Sequence, residues 1–503
     1  LKIFAIYGNV NLLATEEKTM SMFNHEARQF KFDVLKEISQ LAYEGNLTED
    51  SAAAISRKLI PGRKAEFRCC VYKEREILRQ RTRLACGKMA DEGAAYNPRQ
   101  IVQVIDAACD GCTIRKIQIT DNCRKCMAKA CLASCKFDAI SMGLHRAQID
   151  YTKCKECGAC ARGCPYNAIV VTERPCSQHC PVDAIRWDEN GIAQIDESKC
   201  INCGACQAAC PFGAIEDMSW IVPVVSLLKM GTPMYAIIAP AIQGQFDSAT
   251  LPQIKKSIEL LGFEKVYEVA LGADAVAWEE QAELAEKMEV GVPLTTSCCP
   301  AFVNLAKMHF PQIYENNMST VVSPMMALAR KLKKDHPDHG VIFIGPCLAK
   351  KQEAMESFTA VDYVLTFEEV AAMMIAKHID PSEVQANEED YPSVFGRNFA
   401  QGGGVSKAVV QAAKEKAMAA PVGVYADGCQ ECKKQLTLMK FGKFTGNILE
   451  GMACPGGCIA GPAVIEPPMI TKGRMAKENI GNQKTIEESV ESFDFTDVPM
   501  HRK

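Results

Sequence analysis

CKECGACARGCP (residues 154–165) and CINCGACQAACP (residues 200–211) each place four cysteines as C-x2-C-x2-C-x3-C-P. Three thiolates this close in sequence wrap one face of a 4Fe–4S cube, and the fourth, before proline, leaves on a helix toward a partner cube. A zinc site would use separated C-x2-C pairs instead. The repeat therefore predicts paired iron–sulfur clusters held in small α+β units.

This is the spacing of bacterial ferredoxins. Upstream, CRKCMAKACLASC (123–135) is a looser copy, with four residues where two are usual and Lys136 in place of proline. Paired with 154–164 it makes a two-cluster unit. Cross-ligation then puts Cys123, Cys126, Cys131 and Cys164 on one cluster, and Cys154, Cys157, Cys160 and Cys135 on the other. CSQHCP supplies only Cys176 and Cys180. Cys180 joins Cys200, Cys203 and Cys206, which leaves Cys176 and Cys210 two ligands short. ACDGC offers Cys109 and Cys112 at C-x2-C spacing, and with them sixteen cysteines make four clusters. The competing account is a lost cluster, with Cys109 and Cys112 as free thiols or His179 as a substitute ligand.

Sixteen of the 26 cysteines in this 503-residue chain fall in 109–210. A disulfide framework belongs to short secreted chains. No basic region with an apolar core and a small-residue cleavage site opens the sequence, so metal thiolates in a reducing cytoplasm are expected. A formal charge of −4 gives no case for nucleic acid or an anionic membrane. No apolar run reaches the roughly 18 residues of a membrane span; the nearest, WIVPVVSLLKM (220–230), contains a proline and ends near a lysine.

Working outward from the clusters, residues 1–105 read as mainly helical, with charged stretches such as YKEREILRQRTRLA. Residues 106–215 are the ferredoxin-like cluster region. From 216 to 470, β-type runs (MYAIIAPAI, KVYEVAL, HGVIFIG, PVGVYA, GNILEGMA) alternate with amphipathic helical ones. That alternation predicts an α/β domain with parallel sheets. The segment 471–503 reads as a polar tail with few apolar anchors.

Three more cysteine loops lie in the α/β region: TSCCPAFV (Cys298, Cys299), GPCLAKKQE (Cys347) and EGMACPGGCIAG (Cys454, Cys458). Each follows a β-type run, and loops at the carboxyl ends of parallel strands gather in one crevice. Such loops can deliver four thiolates to a single cluster. Gly456, Gly457 and Gly461 would let the backbone approach it closely.

These loops resemble the three signatures of the iron-only (FeFe) hydrogenases: T-S-C-C-P at Thr296–Pro300, P-C-x2-K-x2-E at Pro346–Glu353, and E-x-M-x-C-x2-G-C-x2-G at Glu450–Gly461. The resemblance spans roughly 216–470 and implies a catalytic domain of two lobes. It implies an H-cluster, a 4Fe–4S cube on Cys299, Cys347, Cys454 and Cys458. Cys458 would bridge to a two-iron subsite carrying CO, cyanide and a dithiolate with a central amine. Lys350 matches the lysine beside an iron-bound cyanide; Met452 and Pro240 match pocket positions. Cys298 matches the proton donor facing the amine, and Glu280, Ser319 and Glu283 match a relay to solvent. On the residues alone, Cys298 is as readily a small buried thiol and the glutamates a solvated helix stripe. The implied activity is reversible reduction of two protons to hydrogen. Electrons would come from a ferredoxin-like partner through three or four accessory clusters, and the subsite would be installed by maturation proteins. The rival readings are a hydrogen sensor, for which no signalling segment is found, and a non-catalytic electron-transfer protein.

Phe302, Gly345, Met325 and Ala241 depart from the common pattern at tryptophan, methionine, glutamine and serine positions. They are expected around the two-iron subsite and resemble the divergent group B. Cys429 and Cys432 in DGCQEC, Cys69, Cys70 and Cys86, and the glycine run FAQGGGV (399–405) take no assigned role.

Overall fold

The computed structural model describes residues 25–502 except 98, 110–111, 113–114, 357–359 and 388–391, so the first 24 residues of the expected helical region lie outside it. Three helices follow: Glu26–Glu44, Glu49–Leu59 and Val71–Ala85. The first closes on Gly45 in the left-handed region (φ 78°). The second starts from a capping box between Thr48 and Ser51, with Glu49 and Asp50 in its first turn and Arg57 and Lys58 in its last, which complements the helix dipole.

The cluster region holds eight three-residue strands: β1 (Val102–Val104), β2 (Ile117–Ile119), β3 (Ile140–Met142), β4 (Ala147–Ile149), β5 (Ile169–Val171), β6 (Ile185–Trp187), β7 (Ala193–Ile195) and β8 (Ile215–Asp217). They pair antiparallel as β2–β5, β3–β4, β6–β7 and β1–β8. The first two pairs form one unit and the last two form another of the same plan. In each unit two short cysteine-bearing helices separate the outer strands from the inner hairpin: Ala130–Ala133 and Ala159–Gly163 in the first, Pro175–Gln178 and Ala205–Ala209 in the second. The second unit is interrupted. Its outer strand β1 and the helix Asp106–Cys109 come before the whole first unit, and β8 closes on β1 afterwards. That insertion is why two of its cysteines lie so far upstream in sequence.

Residues 232 onward fold as two parallel sheets. One has order β10–β9–β12–β13, from β9 (Met234–Ile238), β10 (Lys265–Glu268), β12 (Gly340–Ile344) and β13 (Tyr363–Leu365). The other has order β11–β15–β14, from β11 (Leu294–Thr295), β14 (Gly423–Asp427) and β15 (Ile448–Met452). β9 and β15 are buried throughout, as strands covered by helices on both faces must be. The α/β reading is borne out. Among the described residues no helix is long and apolar enough to cross a membrane.

A buried ion network ties the three parts together. Lys31 in the first helix meets Asp217 of β8 at 2.7 Å and Glu368 at 3.0 Å. Lys351, wholly buried, meets the same Asp217 at 2.7 Å and Glu369 at 3.2 Å. Burial alone would raise the Asp217 carboxyl, but the two lysines outweigh it and hold it well below the usual range.

The final segment differs from its sequence reading as a weakly anchored tail. Met475, Ile486, Phe495, Val498 and Met500 are buried. Val322 N–H donates to Met500 O at 2.7 Å and Arg502 N–H to Thr320 O at 2.8 Å. Its apolar anchors are spaced widely between charged residues, too sparsely for a periodic signal.

Candidate metal centres and proton route

The cysteines of the cluster region gather in four sets. Cys123, Cys126, Cys131 and Cys164 line one cavity. Cys160 lies within electrostatic reach of Cys154 and Cys135. Cys176 has Cys210, Cys109 and Cys112 around it, and burial pushes its thiol up to about 11. Cys206 has Cys203, Cys200 and Cys180 around it, with Cys176 beyond. The structure thus brings together the quartet Cys109, Cys112, Cys176 and Cys210. His179 instead turns Nδ1 to the Pro175 carbonyl at 2.8 Å.

The donors around these sulfurs fit thiolates. The N–H four residues after Cys135, Cys164, Cys180 and Cys210, an alanine each time, points at the sulfur at 3.2–3.4 Å. Ala147 N–H meets Cys123 at 3.5 Å in the first unit, and Ala193 N–H meets Cys109 at 3.3 Å in the second. This equivalence assigns Cys109 the place Cys123 holds. Backbone donors stabilise a charged sulfur without occupying its metal face, so the sets suit negatively charged clusters.

Each catalytic-domain cysteine loop leaves the carboxyl end of a strand. Cys298 and Cys299 follow β11, Cys347 follows β12, and Cys454 and Cys458 follow β15. Cys454 lies within electrostatic reach of Cys347, Cys299 and Cys458. Cys299 precedes the helix Pro300–His309. Burial raises its thiol, while N–H groups of Ala453, Phe302 and Ala301 and the Lys350 charge counter this. Cys347 receives N–H groups of Lys350 and Ala349, at the start of the helix Ala349–Glu356. Helix N-termini supply free N–H groups to an anion.

Beside this quartet lies a cavity of about 80 Å³. Cys298, Cys299, Cys347, Cys458, Lys350, Met452 and Pro240 line it, and so do Met325, Phe343, Phe399 and Ala400. Lys350 Nζ is held by Glu353 at 2.6 Å and donates to the Cys298 carbonyl at 3.4 Å. A nearly buried cation on an otherwise apolar wall fits a small anionic ligand. The donor set and the cavity therefore fit an H-cluster: a cube on the four cysteines and a two-iron subsite in the apolar space.

Two glycine features refine the sequence reading. A Cβ on Gly457 (φ 85°) would meet the backbone of 400–402 at 2.7–2.8 Å, and one on Gly461 the Pro346 carbonyl at 2.7 Å. These glycines let the cysteine loops approach one another. The run FAQGGGV, left unassigned, belongs to the site. Gly402 N–H bonds Gly456 O at 3.2 Å. Gly403 and Ser406 N–H groups hold the two oxygens of buried Glu450 at 2.9 and 2.8 Å. A lone glycine run carries no signal for this, because its partners lie some fifty residues away.

The four departures gather at the subsite only in part. Met325 lines the cavity. A Cβ on Gly345 would sit 2.5 Å from the Phe343 ring, so Phe343 takes the space beside it. Phe302 packs on Gly451, where a Cβ would lie 2.3 Å from its ring. Ala241 is buried but is not among the residues lining this cavity.

Cys298 is 8% exposed. Burial first, then Glu280 and the neighbouring cysteines, push its thiol well above the ordinary value. The structure thus favours the protonated S–H form. Glu280, in the helix Val269–Glu289, is wholly buried. Its Oε1 accepts from Ser297 N–H at 3.2 Å, while Oε2 has no hydrogen-bond partner among the described residues. Burial, with the Glu283 charge adding to it, raises this carboxyl to about 7, against the Ser297 N–H and the Arg502 charge. The Ser319 hydroxyl donates to Glu283 Oε2 at 2.8 Å, and Thr320 N–H reaches both Glu283 oxygens at 3.1 Å. Glu283 is half-buried. The four residues thus descend from the cavity wall to the surface. Arg502 was missed in sequence: it donates to the Ser297 carbonyl at 3.0 Å.

Residues 232–462 match the family described as iron only hydrogenase large subunit, C-terminal domain, and residues 147–170 and 193–216 match the 4Fe-4S binding domain. The periplasmic Fe hydrogenase large subunit of Nitratidesulfovibrio vulgaris is 30% identical over 391 residues, covering 64% of this chain and 88% of that protein. The chain belongs to the iron-only hydrogenase family. Iron hydrogenase 1 of Clostridium pasteurianum is 27% identical over 285 residues, or 47% of this chain and 49% of that one. A solved FeFe-hydrogenase of Chlamydomonas reinhardtii is 22% identical with a TM-score of 0.44, over 52% of this chain and 87% of that one. The chain is therefore a hydrogenase-family large subunit with 4Fe–4S ferredoxin domains ahead of its catalytic domain.

Proposed function

We propose that this chain is a hydrogen-cycling enzyme that interconverts two protons, two electrons and hydrogen. The observation that carries the reading is a buried S–H on the wall of the apolar cavity, with a carboxyl, a hydroxyl and a second carboxyl leading from it to the surface. An electron carrier alone has no use for such a route. When bound, the H-cluster supplies the redox metal and the basic amine at which hydrogen is made or split. Cys299, Cys347, Cys454 and Cys458 would hold its cube, Lys350 would orient the subsite, and Met452 and Pro240 would shape its pocket.

Cys298 passes its proton toward the cavity and is reprotonated from Glu280. A carboxyl poised at about 7 both takes and gives a proton near neutrality. Ser319 carries the proton to Glu283, which exchanges with water. The sixteen cysteines of 109–210 would hold four accessory clusters, which would supply the electron route. The set on Cys180, Cys200, Cys203 and Cys206 comes last, because Cys203 lies within electrostatic reach of Cys454.

Arg124, Lys125, Lys129 and Lys136 are exposed in the same cysteine-bearing segment as Met127, which is 97% exposed. This surface suits docking of a small acidic carrier of the ferredoxin type. Maturation proteins install the two-iron subsite. The chain divides as 1–105, 106–215, 216–470 and 471–503, and works in the reducing cytoplasm that so many metal thiolates call for. Met325, Gly345, Ala241 and Phe302 support placement in group B. In matured enzyme, Cys298→Ala and Glu283→Gln should each keep the iron and lose most viologen-driven hydrogen evolution. Near wild-type turnover in either removes that residue from the path.

A further inference from the structure

Residues 499–502 run alongside the proton route. Val322 N–H donates to Met500 O, Arg502 N–H donates to Thr320 O, and Val321 lies opposite His501 in an antiparallel bridge. In such a pairing, successive residues turn their backbone groups to opposite sides. Thr320 and Val322 face the segment 499–502, so Val321 faces the other way. Its N–H donates to the Ser319 hydroxyl oxygen at 3.2 Å, and its carbonyl accepts the Ser297 hydroxyl. Ser319 thus has its oxygen engaged by Val321 and its one proton committed to Glu283 at 2.8 Å. Ser297, its hydroxyl fixed by the same residue, presents its N–H to Glu280 at 3.2 Å. Val321 therefore sets both serines that hold the two relay carboxyls.

We propose that the segment 499–502 is the outer rail of the proton route and that Arg502 is its positioning residue. Arg502 touches both halves of the relay. Its backbone N–H holds Thr320, next to Ser319, and its guanidinium donates to the carbonyl of Ser297, next to Cys298, at 3.0 Å. The donor loop 296–299 and the relay segment 319–322 are thereby tied to one residue. Arg502 acts through these groups and does not itself carry the proton. A proton passes between side chains only within about 3.2 Å or through one water, so slack between the two segments breaks the route. The rail is itself docked. Arg330 donates to the carbonyls of Pro499 and His501, the latter at 3.1 Å, and Lys334 donates to the Thr496 carbonyl at 2.8 Å. Val498 and Met500 are buried between these contacts. His501 meets the Thr320 hydroxyl at 2.8 Å and Glu279 at 3.5 Å, which holds the exposed end of the rail to the helix Val269–Glu289 that carries both relay carboxyls.

This inference rests on the proton route proposed above, and its test reads position separately from turnover. Wild type, Arg502→Lys and Arg502→Met are compared; methionine keeps the backbone pairing and removes the side-chain donor. In full chain carrying only its 4Fe–4S clusters, amide hydrogen exchange is followed by mass spectrometry over peptides holding 295–299 and 318–322. Arg502→Met should speed exchange there by about tenfold, the scale of one lost hydrogen bond from a charged group, and leave β9 unchanged. In matured enzyme, each variant is assayed at its own pH optimum. Arg502→Met should lose at least about tenfold in viologen-driven hydrogen evolution, as misplaced proton-transfer groups do. Its solvent isotope effect should rise, while KM for viologen and iron content stay constant. Lysine, which keeps a charged donor, should recover most of the exchange protection and the rate. Unchanged exchange or unchanged turnover in Arg502→Met, or Arg502→Lys as impaired as Arg502→Met, would overturn the proposal. A matured wild type without turnover would instead sink the hydrogenase reading, and the exchange comparison would still decide whether Arg502 holds the two segments.

Discussion

Glu280→Gln separates the energetic consequence of a buried carboxyl from its use. Burial raises this carboxyl from 4.5 to about 7. Between those pH values the folded chain keeps a proton that the unfolded chain releases, so stability is highest below the unfolded value and falls as pH rises through 7. With about 1.4 kcal/mol for each tenfold change in acid constant, the ionised carboxyl costs the fold about 3 kcal/mol above neutrality. Roughly 1 kcal/mol of this develops between pH 6 and pH 8. Glutamine keeps the acceptor for Ser297 N–H and never ionises. The variant should therefore outlast wild type in anaerobic urea unfolding, by a margin that grows over that interval. It should also lose at least about 100-fold in turnover, the usual scale for a missing proton-transfer group, at unchanged iron content. A margin independent of pH, or a variant less stable than wild type at pH 8 with turnover intact, would refute the reasoning.

Arg502 opposes the raised pKa of Glu280; Arg502→Ala should displace the Glu280 limb of the pH–turnover profile to higher pH, and an unmoved limb would exclude that coupling. Full chain carrying only its cubes should hold about twenty irons, and Cys112→Ser about sixteen; equal counts by iron assay would return Cys112 to the free thiols. Lys351→Met removes one of the two lysines that meet buried Asp217 and the lysine that meets buried Glu369. It should destabilise the chain by about 3–5 kcal/mol in urea unfolding, and a change under 1 kcal/mol would count against the network as the tie between the three parts.

What could be read in sequence was whatever is encoded locally. The C-x2-C-x2-C-x3-C-P repeats and the three cysteine loops state their spacing outright, and the alternation of β-type and helical runs announces the parallel sheets. Less visible was anything set by a long insertion or a tertiary encounter. Cys109 and Cys112 are separated from Cys176 by an entire inserted unit, so only a ligand count pointed to them, while β1–β8 pairing places them. Cys298 reads as an ordinary thiol until burial beside Glu280 raises it. Phe343 fills the space beside Gly345, which no single position reveals. Arg502 meets its partner about two hundred residues away in sequence, and the FAQGGGV loop meets its partner about fifty residues away.

The most direct test of the central claim is an infrared spectrum of anaerobically matured protein, first under argon and then under hydrogen. CO and cyanide bands should appear and shift when hydrogen is admitted, and the same bands should be present in Cys298→Ala with the shift slowed. Absence of such bands, from a maturation system that loads a control hydrogenase, would contradict it and leave an iron–sulfur electron carrier with a buried, idle thiol.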